Sequence, residues 1–175
     1  RQCIASNPDD VIAMHIKASR PESITVELEL QLLRNAEVVA SGNQLIYTGN
    51  AEFEKHGRGG VLFEGRIAAE IKGGTIKADG KKLLIDKATE VLLLSDVRTN
   101  YKNTTFAGYD YQQKCKETIE AASKKSFKTL RNTHVEDYTP LFSRVALSFG
   151  DNGKFSHLPN DQRWARVKAG ESDPG

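Results

Sequence analysis

The sequence predicts a mainly-β protein, in which an antiparallel β-sandwich is followed by a helical linker. Apolar side chains alternate with polar ones through the first hundred residues, which is typical of strands with one buried face. Turn residues separate these stretches at regular intervals, as they do in a sandwich. After Thr99 the apolar period lengthens to that of amphipathic helices.

The chain begins in a strand-like segment, and further strand segments are predicted before Thr99. These are Val11 to Ala18 with Ile12, Met14 and Ile16 on one face, Ser23 to Leu32, Gly60 to Lys72, the hairpin from Thr75 to Ile85, and Val91 to Leu94. In Ser23 to Leu32, we expect every second residue from Ile24 onward to be buried. The Asp79-Gly80 pair indicates a type I′ turn in the hairpin. The continuous apolar run from Val91 to Leu94 predicts a central strand.

Two helices are predicted after the strands. Asp110 and Gln113 have the spacing of a capping box at the start of the first helix. Ser126 is predicted to cap the second, in which Leu130 and His134 belong to an apolar stripe. Pro140 is expected to end or kink that helix, because proline removes a backbone donor.

The last part of the chain is predicted to return once to the sheet. Apolar residues alternate again at Val145, Leu147 and Phe149, and Asn160 is expected to cap a final short helix. We therefore assign residues 1–98 to the sandwich and residues 99–175 to a helical linker with one returning strand. The ends of the chain, at Arg1 and Gly175, lead us to expect that it is part of a longer polypeptide.

Composition excludes several classes of function. The 175 residues carry a formal net charge of +2, with dispersed basic residues, so nucleic acid is not an expected partner. No apolar run approaches the roughly 20 residues of a membrane-spanning helix, so no membrane partner is expected either. Charged residues make up 27% of the chain and hydrophobic residues 38%, which is typical of a folded globular domain.

No group of residues assembles a catalytic, cofactor or metal site in the sequence. The four histidines lack metal-ligand spacing, and His134 is interpreted as a packing residue. Glu27 and Glu29 lie on one polar strand face, which favours solvated surface groups over an acid/base pair. Cys3 and Cys115 are interpreted as unpaired thiols, although a disulfide between them is compatible with the sequence.

An aromatic cluster lies at the junction between strands and helices. It contains Tyr101, Phe106, Tyr109 and Tyr111. Sugar rings stack on exposed aromatic side chains, so the cluster favours a free-standing carbohydrate-binding sandwich as an alternative function. Packing at the junction explains the same residues equally well.

Several segments carry a resemblance to glycoside hydrolase family 95, the α-L-fucosidase family. They are Ala5 to Ile12, Gly73 to Thr75, Ala78 to Gly80, Glu90 to Leu94, Leu158 to Arg163 and, most specifically, the residues from Ser126 to Leu147 that include Ser126-Phe127, His134, Asp137-Tyr138 and Leu141-Phe142. The resemblance implies that this chain is the later half of an amino-terminal supersandwich, with the linker to an (α/α)6 catalytic barrel.

The same resemblance implies a function for the parent protein. Members of family 95 hydrolyse terminal α-L-fucosyl linkages with inversion and without a metal cofactor, and some prefer α-L-galactosides. Their catalytic carboxylates and asparagines lie in the barrel, so no catalytic, cofactor or metal residue is assigned here. The implied partners are the barrel, the rest of the sandwich and a fucosylated glycan, in a periplasmic or extracellular parent enzyme. A related disaccharide phosphorylase would need a different barrel.

Overall fold

The computed structural model describes residues 1–32, 36–51, 60–101, 109–147, 155 and 157–173. Two compact units divide the chain, Arg1–Tyr138 and Thr139–Gly175. Among the described residues, the strands are β1 (Gln2–Ser6), β2 (Val11–Lys17), β3 (Ile24–Glu29), β4 (Ala36–Ser41), β5 (Gln44–Ala51), β6 (Val61–Lys72), β7 (Thr75–Asp79), β8 (Lys82–Ala88) and β9 (Glu90–Thr99). The helices are α1 (Tyr111–Ser123), α2 (Phe127–Phe142) and α3 (Asn160–Lys168).

The strands form two antiparallel sheets, as the sequence predicts for a sandwich. One has the order β1-β2-β9-β6-β5-β4 and the other has the order β3-β8-β7. The run from Val91 to Leu94 lies in β9, between β2 and β6, which confirms the prediction of a central strand.

The three-stranded sheet packs on one face of the six-stranded sheet. Their shared apolar core includes Ile24, Leu83 and Ile85 from the smaller sheet and Leu45 and Val91 from the larger one. Leu45 and Leu83 are completely buried. The two sheets therefore form a true sandwich at this end of the larger sheet.

Helix α1 and the first turn of α2 pack on the opposite face. A second core joins Ala13 and Leu94 of the sheet to Ile119 of α1 and Leu130 of α2. All four side chains are completely buried. The larger sheet is thus covered by a sheet on one side and by helices on the other.

The turn between β1 and β2 ties the sheet to these helices. The side chain of Asp9 is nearly completely buried and lies 2.5 Å from the Nζ atom of Lys125. Ser6 donates a hydrogen bond of 2.6 Å to the same carboxylate. Asn7 donates a longer one, 3.4 Å, to Asp137 of α2. Polar contacts therefore tie this turn to the segment before α2 and to α2 itself.

The structure confirms β2 as a strand with Ile12, Met14 and Ile16 on one face, but that face is covered only at Ile16. Val11 and Ala13 are buried beneath the helices, whereas Ile12 and Met14 are exposed. Ile16 packs against the core of the sandwich. Alternate residues of β2 therefore face the helices on one side and the smaller sheet on the other. The smaller sheet does not extend over Ile12 and Met14.

Burial in β3 is also less extensive than the sequence predicts. Only Ile24 is fully buried, and Leu28 and Leu30 are partly buried against the core. Val26 and Leu32 are exposed. Because β3 is an edge strand of the smaller sheet, fewer neighbours cover its side chains.

The β7–β8 hairpin forms where it is predicted, with a different turn. Asp79 pairs with Lys82, so Gly80 and Lys81 are the two central residues. Gly80 has a φ of +60°, and Lys81 is not among the described residues with positive φ. A positive φ at the first central position alone indicates a type II′ turn instead of the predicted type I′.

Helix capping partly follows the prediction. Asp110 accepts hydrogen bonds of 3.1 Å from the backbone amides of Gln112 and Gln113, which caps α1. The side chain of Gln113 bonds to Glu117 instead of closing a capping box. Ser126 accepts a 3.1 Å bond from the amide of Thr129 and so caps α2 as predicted.

The second unit departs from the prediction at three points. Helix α2 continues through Pro140 to Phe142, so the proline does not end the helix, which is one of the two predicted alternatives. Val145 and Leu147 are exposed and lie in no strand, and Phe149 is outside the described residues. Pro159, and not Asn160, is the N-cap residue of α3, without a side-chain hydrogen bond.

Replacing Leu83 by alanine tests the core of the sandwich. We expect Leu83→Ala to lower the free energy of unfolding by about 2–5 kcal/mol, because the fully buried side chain leaves a cavity. Urea denaturation followed by circular dichroism measures the change. The matched control is Val26→Ala on β3, where an exposed side chain should cost less than about 1 kcal/mol. Equal losses in the two variants would contradict the assignment of this core.

Candidate functional site

The two carboxylates singled out in the sequence are bound by one cation. Glu27 and Glu29 both contact the Lys82 ammonium, at 3.1 and 3.3 Å, and these contacts raise the pKa of Lys82. They lie on the exposed side of β3, as expected for solvated surface groups. Glu52 and Glu54 are outside the described residues.

Four charged residues form a network between β6 and β9, which we call the charged square. It consists of Glu64, Arg66, Asp96 and Arg98. Arg66 binds Glu64 at 2.7 Å along one strand, and Arg98 binds Asp96 at 2.8 Å along the next. The register places Glu64 opposite Arg98 and Arg66 opposite Asp96, so opposite charges also face each other across the strands.

Helix α1 covers the charged square. Gln112 donates a 3.0 Å hydrogen bond to Glu64, and the thiol of Cys115 lies 3.6 Å from the carbonyl oxygen of Asp96. Both buried carboxylates are thus bound by guanidinium groups. This arrangement favours a structural role over acid/base catalysis, since removing one partner of a buried ion pair is strongly destabilising.

Two of the three histidines in the described part of the chain stack on aromatic rings. His15 stacks on Phe127, with ring centroids 4.7 Å apart, and His134 stacks on Tyr138 at 5.6 Å. His157 is exposed, and His56 is outside the described residues. Within the described ranges, no group of three potential ligands is placed to hold a metal ion.

The aromatic cluster is brought together only in part. Tyr101 and Tyr109 line a cavity of about 400 Å³ at the end of β9, together with Arg98 and Lys114. Tyr101 is largely exposed. Tyr111 borders a different depression, beside Phe63 and Lys81, and Phe106 is outside the described residues. Two of the four predicted aromatic residues therefore share one candidate site.

A surface that the sequence analysis missed lies on the sandwich side of the larger sheet. Ile12 pairs with Ser95 and Met14 with Leu93, so both face the same side as the core of the sandwich. The smaller sheet does not cover them, and Ile12 and Val97 are 54% and 53% exposed. We call Cys3, Ala5, Ile12, Met14 and Val97 the open patch, since all five share this face and are exposed.

An aromatic residue lies on the same sheet face. The ring of Tyr47 lies over Gly65, where a Cβ atom would come within 2.1 Å of it. Tyr47 also bonds to Ser95, and burial raises the pKa of its hydroxyl. A side chain at position 65 would collide with this ring, so its close approach to β6 requires glycine there.

The two cysteines are free thiols in contrasting environments. Cys3 is exposed, whereas Cys115 is completely buried under α1. Burial, together with the nearby Asp96 carboxylate, raises the pKa of the Cys115 thiol to about 12. The prediction of two unpaired thiols is therefore supported.

No helix in the described ranges has the length and apolar character needed to cross a bilayer. The fold is a β-domain with packed helices, and its buried charged groups are held in structural ion pairs.

Residues 1–104 match the family model described as glycosyl hydrolase family 65, N-terminal domain, and this chain belongs to that family. Residues 126–175 match the catalytic domain of glycosyl hydrolase family 95. The second match contains the residues from Ser126 to Leu147 in which the sequence resemblance is most specific. The predicted likeness to family 95 is confirmed.

Two curated proteins show the same relationship. Alpha-L-fucosidase 2 of Arabidopsis thaliana is 28% identical over an alignment 173 residues long with its gaps, and this alignment covers 84% of this chain and 20% of that protein. Probable alpha-fucosidase A of Aspergillus niger is 27% identical over an alignment 177 residues long with its gaps. This alignment covers 93% of this chain and 22% of that protein. The chain therefore spans about a fifth of the length of these curated relatives.

Thiol labelling tests the packing of α1 on the charged square. At pH 8 iodoacetamide should modify Cys3 rapidly and leave Cys115 unmodified, because the reactive thiolate of Cys115 is disfavoured and shielded. Mass spectrometry of the intact protein measures the number of adducts. The Cys3→Ser variant serves as the control and should be labelled only after denaturation. Rapid labelling of that folded variant would show that α1 does not shield Cys115.

Proposed function

We propose that this chain is a non-catalytic part of a glycoside hydrolase of the α-L-fucosidase type. In this proposal residues 1–98 are the sandwich portion of an amino-terminal domain, and residues 99–175 lead toward an (α/α)6 catalytic barrel. The observation that carries it is the pair of matches, to an N-terminal domain over residues 1–104 and to a family 95 catalytic domain over residues 126–175.

The chemistry of the described residues supports this assignment. An inverting glycosidase needs a general acid and a general base whose carboxyl groups lie roughly 6.5–9.5 Å apart across the sugar. The buried carboxylates of Glu64 and Asp96 are each bound to an arginine. Glu27 and Glu29 share an exposed lysine partner. We therefore place the catalytic carboxylates of the parent enzyme outside these residues.

The substrate follows from the names of the relatives. Both curated proteins are described as fucosidases, one of them as an alpha-L-fucosidase. We infer that the parent enzyme removes terminal α-L-fucosyl groups from glycans, and that the partners of this chain are the barrel and the rest of the sandwich. In that arrangement the helices between sandwich and barrel position the two domains.

The open patch supports the proposed partner within the sandwich. Exposed apolar side chains in one contiguous area of a sheet are typical of surfaces that pack against other polypeptide. β1 is an edge strand of the larger sheet, so it is also open to pairing by a further strand. We propose that the rest of the supersandwich covers this surface.

A carbohydrate-binding function is the second candidate, and the cavity beside Tyr101 and Tyr109 favours it. Two aromatic rings and the cationic Arg98 and Lys114 border the same space. In a titration with fucosylated glycans, Tyr101→Ala should then abolish binding, while Tyr138→Ala, a change at an exposed tyrosine on α2, should not. The absence of any response in the unmodified chain would eliminate this candidate.

Activity measurements test the main proposal. The purified 175-residue chain should not hydrolyse 2′-fucosyllactose or an aryl α-L-fucoside, because the buried carboxylates of its described residues, Glu64 and Asp96, are each bound to an arginine. A curated alpha-L-fucosidase serves as the positive control, and a separately expressed catalytic barrel is added in a parallel series. Turnover by the chain alone that disappears when one of its own carboxylates is changed would refute the proposal.

Self-association tests the open patch. Without covering polypeptide, the chain should associate or bind the dye ANS at high micromolar concentration, because apolar surface remains exposed. The double variant Ile12→Ser/Val97→Ser should reduce both effects. Val135→Ser, at an exposed position of α2, is the matched control and should change neither. A monomeric chain that binds no dye would contradict the proposed interface.

A further inference from the structure

A cavity of about 530 Å³ lies between the larger sheet and the start of α2. Its volume falls within the range of roughly 300–1,000 Å³ that is typical of small-molecule sites. His15, Glu70 and Glu90 line it from the sheet, and Lys128 and Arg131 line it from the helix. It is separate from the cavity beside Tyr101 and from the open patch.

The carboxylates on the sheet side of this cavity already have partners. Glu90 lies 3.0 Å from the Lys17 ammonium and 3.3 Å from the ring of His15. The Lys17 contact is the main reason that the pKa of Glu90 lies below its ordinary value. Glu70 accepts a 3.2 Å hydrogen bond from Asn43. Glu90 is therefore already bound by cations of the sheet, whereas Glu70 is not neutralised, because the amide of Asn43 carries no charge. The cavity lining still contains more cationic than acidic side chains.

The helix side of the cavity carries cations without acidic partners. Lys128 and Arg131 are three residues apart on α2, so their side chains project from neighbouring positions on one side of the helix. Neither forms an ion pair with a carboxylate among the residues that the structure describes. Two other lysines border the cavity, and both have acidic partners. Lys125 is bound to Asp9, and the Lys72 ammonium lies 3.7 Å from Glu90. The cavity therefore offers one ammonium and one guanidinium group to an anion.

The cavity also has an apolar surface beside these cations. The rings of His15 and Phe127 are stacked at 23° to each other, and Ile71 and Leu92 line the cavity near them. A sulfate or phosphate ion would leave this surface unused. A pyranose ring offers C–H groups that pack against such a surface, while an attached carboxylate or sulfate reaches the cations.

We propose that this cavity binds an acidic sugar unit, a uronate or a sulfated monosaccharide within a glycan. Arg131 and Lys128 bind the anionic group, and the His15–Phe127 pair supports the sugar ring. The choice of a sugar rests on the proposed function, whereas the requirement for an anion rests on the charges of the cavity alone.

Titrations of the 175-residue chain test the proposal. The probes are galacturonic acid, a sulfated fucose monosaccharide, neutral L-fucose and inorganic sulfate, and NMR of the His15 ring together with calorimetry measures binding. One of the two acidic sugars should bind in the millimolar range and shift the His15 resonances, and neutral L-fucose should do neither. Added salt should weaken binding, because the contacts are ionic.

Variants of the two cations locate the site. Lys128→Ala/Arg131→Ala should weaken binding of the acidic sugar at least tenfold. Lys116→Ala, at an exposed lysine of α1, is the matched control and should leave affinity unchanged. Both changed residues of the double variant are exposed, and circular dichroism checks that it folds. If it does not fold, Lys128→Gln/Arg131→Gln replaces it with the same expected loss.

Three outcomes would overturn the proposal. Failure of both acidic sugars to bind would exclude the site, and unchanged affinity in the double variant would place binding elsewhere. Inorganic sulfate that binds as tightly as the sulfated sugar would show that the ring contributes nothing. None of these results bears on fucoside hydrolysis by the longer enzyme, so failure here is distinguishable from failure of the proposed function.

Discussion

Burial of both faces of β9 is the constraint on which the rest of the first unit depends. Val91 faces the core of the sandwich, while Leu92 and Leu94 face the helices. An apolar strand of this kind needs cover on both sides, because burial of each such side chain is worth about 1.5–3 kcal/mol. The smaller sheet supplies one cover, and α1 with the start of α2 supplies the other.

The second half of β9 contributes residues to both the charged square and the open patch. Asp96 and Arg98 replace the aliphatic residues on the helix side, so the charged square begins where the apolar core ends. On the other side Val97 extends past the smaller sheet and joins the open patch. The buried charged groups thus bind one another and contact α1, whereas Val97 remains exposed. This division is compatible with the non-catalytic role that we propose.

Most strands were predictable because a period of two is a local property of the sequence. The face that each strand buries was not, since it depends on which layer covers it. β2 shows the difference, because Ala13 faces the helices and Ile16 faces the sandwich, so the strand has apolar residues on both sides. β4 and β5 were not predicted, although Gly42, with a φ of +60°, lies in the turn between them.

The candidate sites also differ in how far they could be predicted, because some depend on residues close in sequence and others on contacts that only the fold creates. Tyr101 and Tyr109 are close in sequence, so it could be predicted that the two side chains lie near each other. His15 and Phe127 meet only because β2 and the start of α2 lie on the same face of the sheet. The open patch could not be found from apolar alternation, because Ile12 and Met14 have the same pattern as buried residues.

The second unit holds its shape by local contacts, in contrast to the first. In α3 none of the described residues is buried, and Trp164 and Val167 are exposed. Arg163 binds both oxygens of Asp173, and Arg166 pairs with Glu171, which fold the following segment back toward the helix. Gly170 permits this reversal with a φ of +83°. Since ion pairs and a glycine cap fix this turn without an apolar core, exposed residues such as Trp164 remain available to pack against the rest of the catalytic domain that we propose.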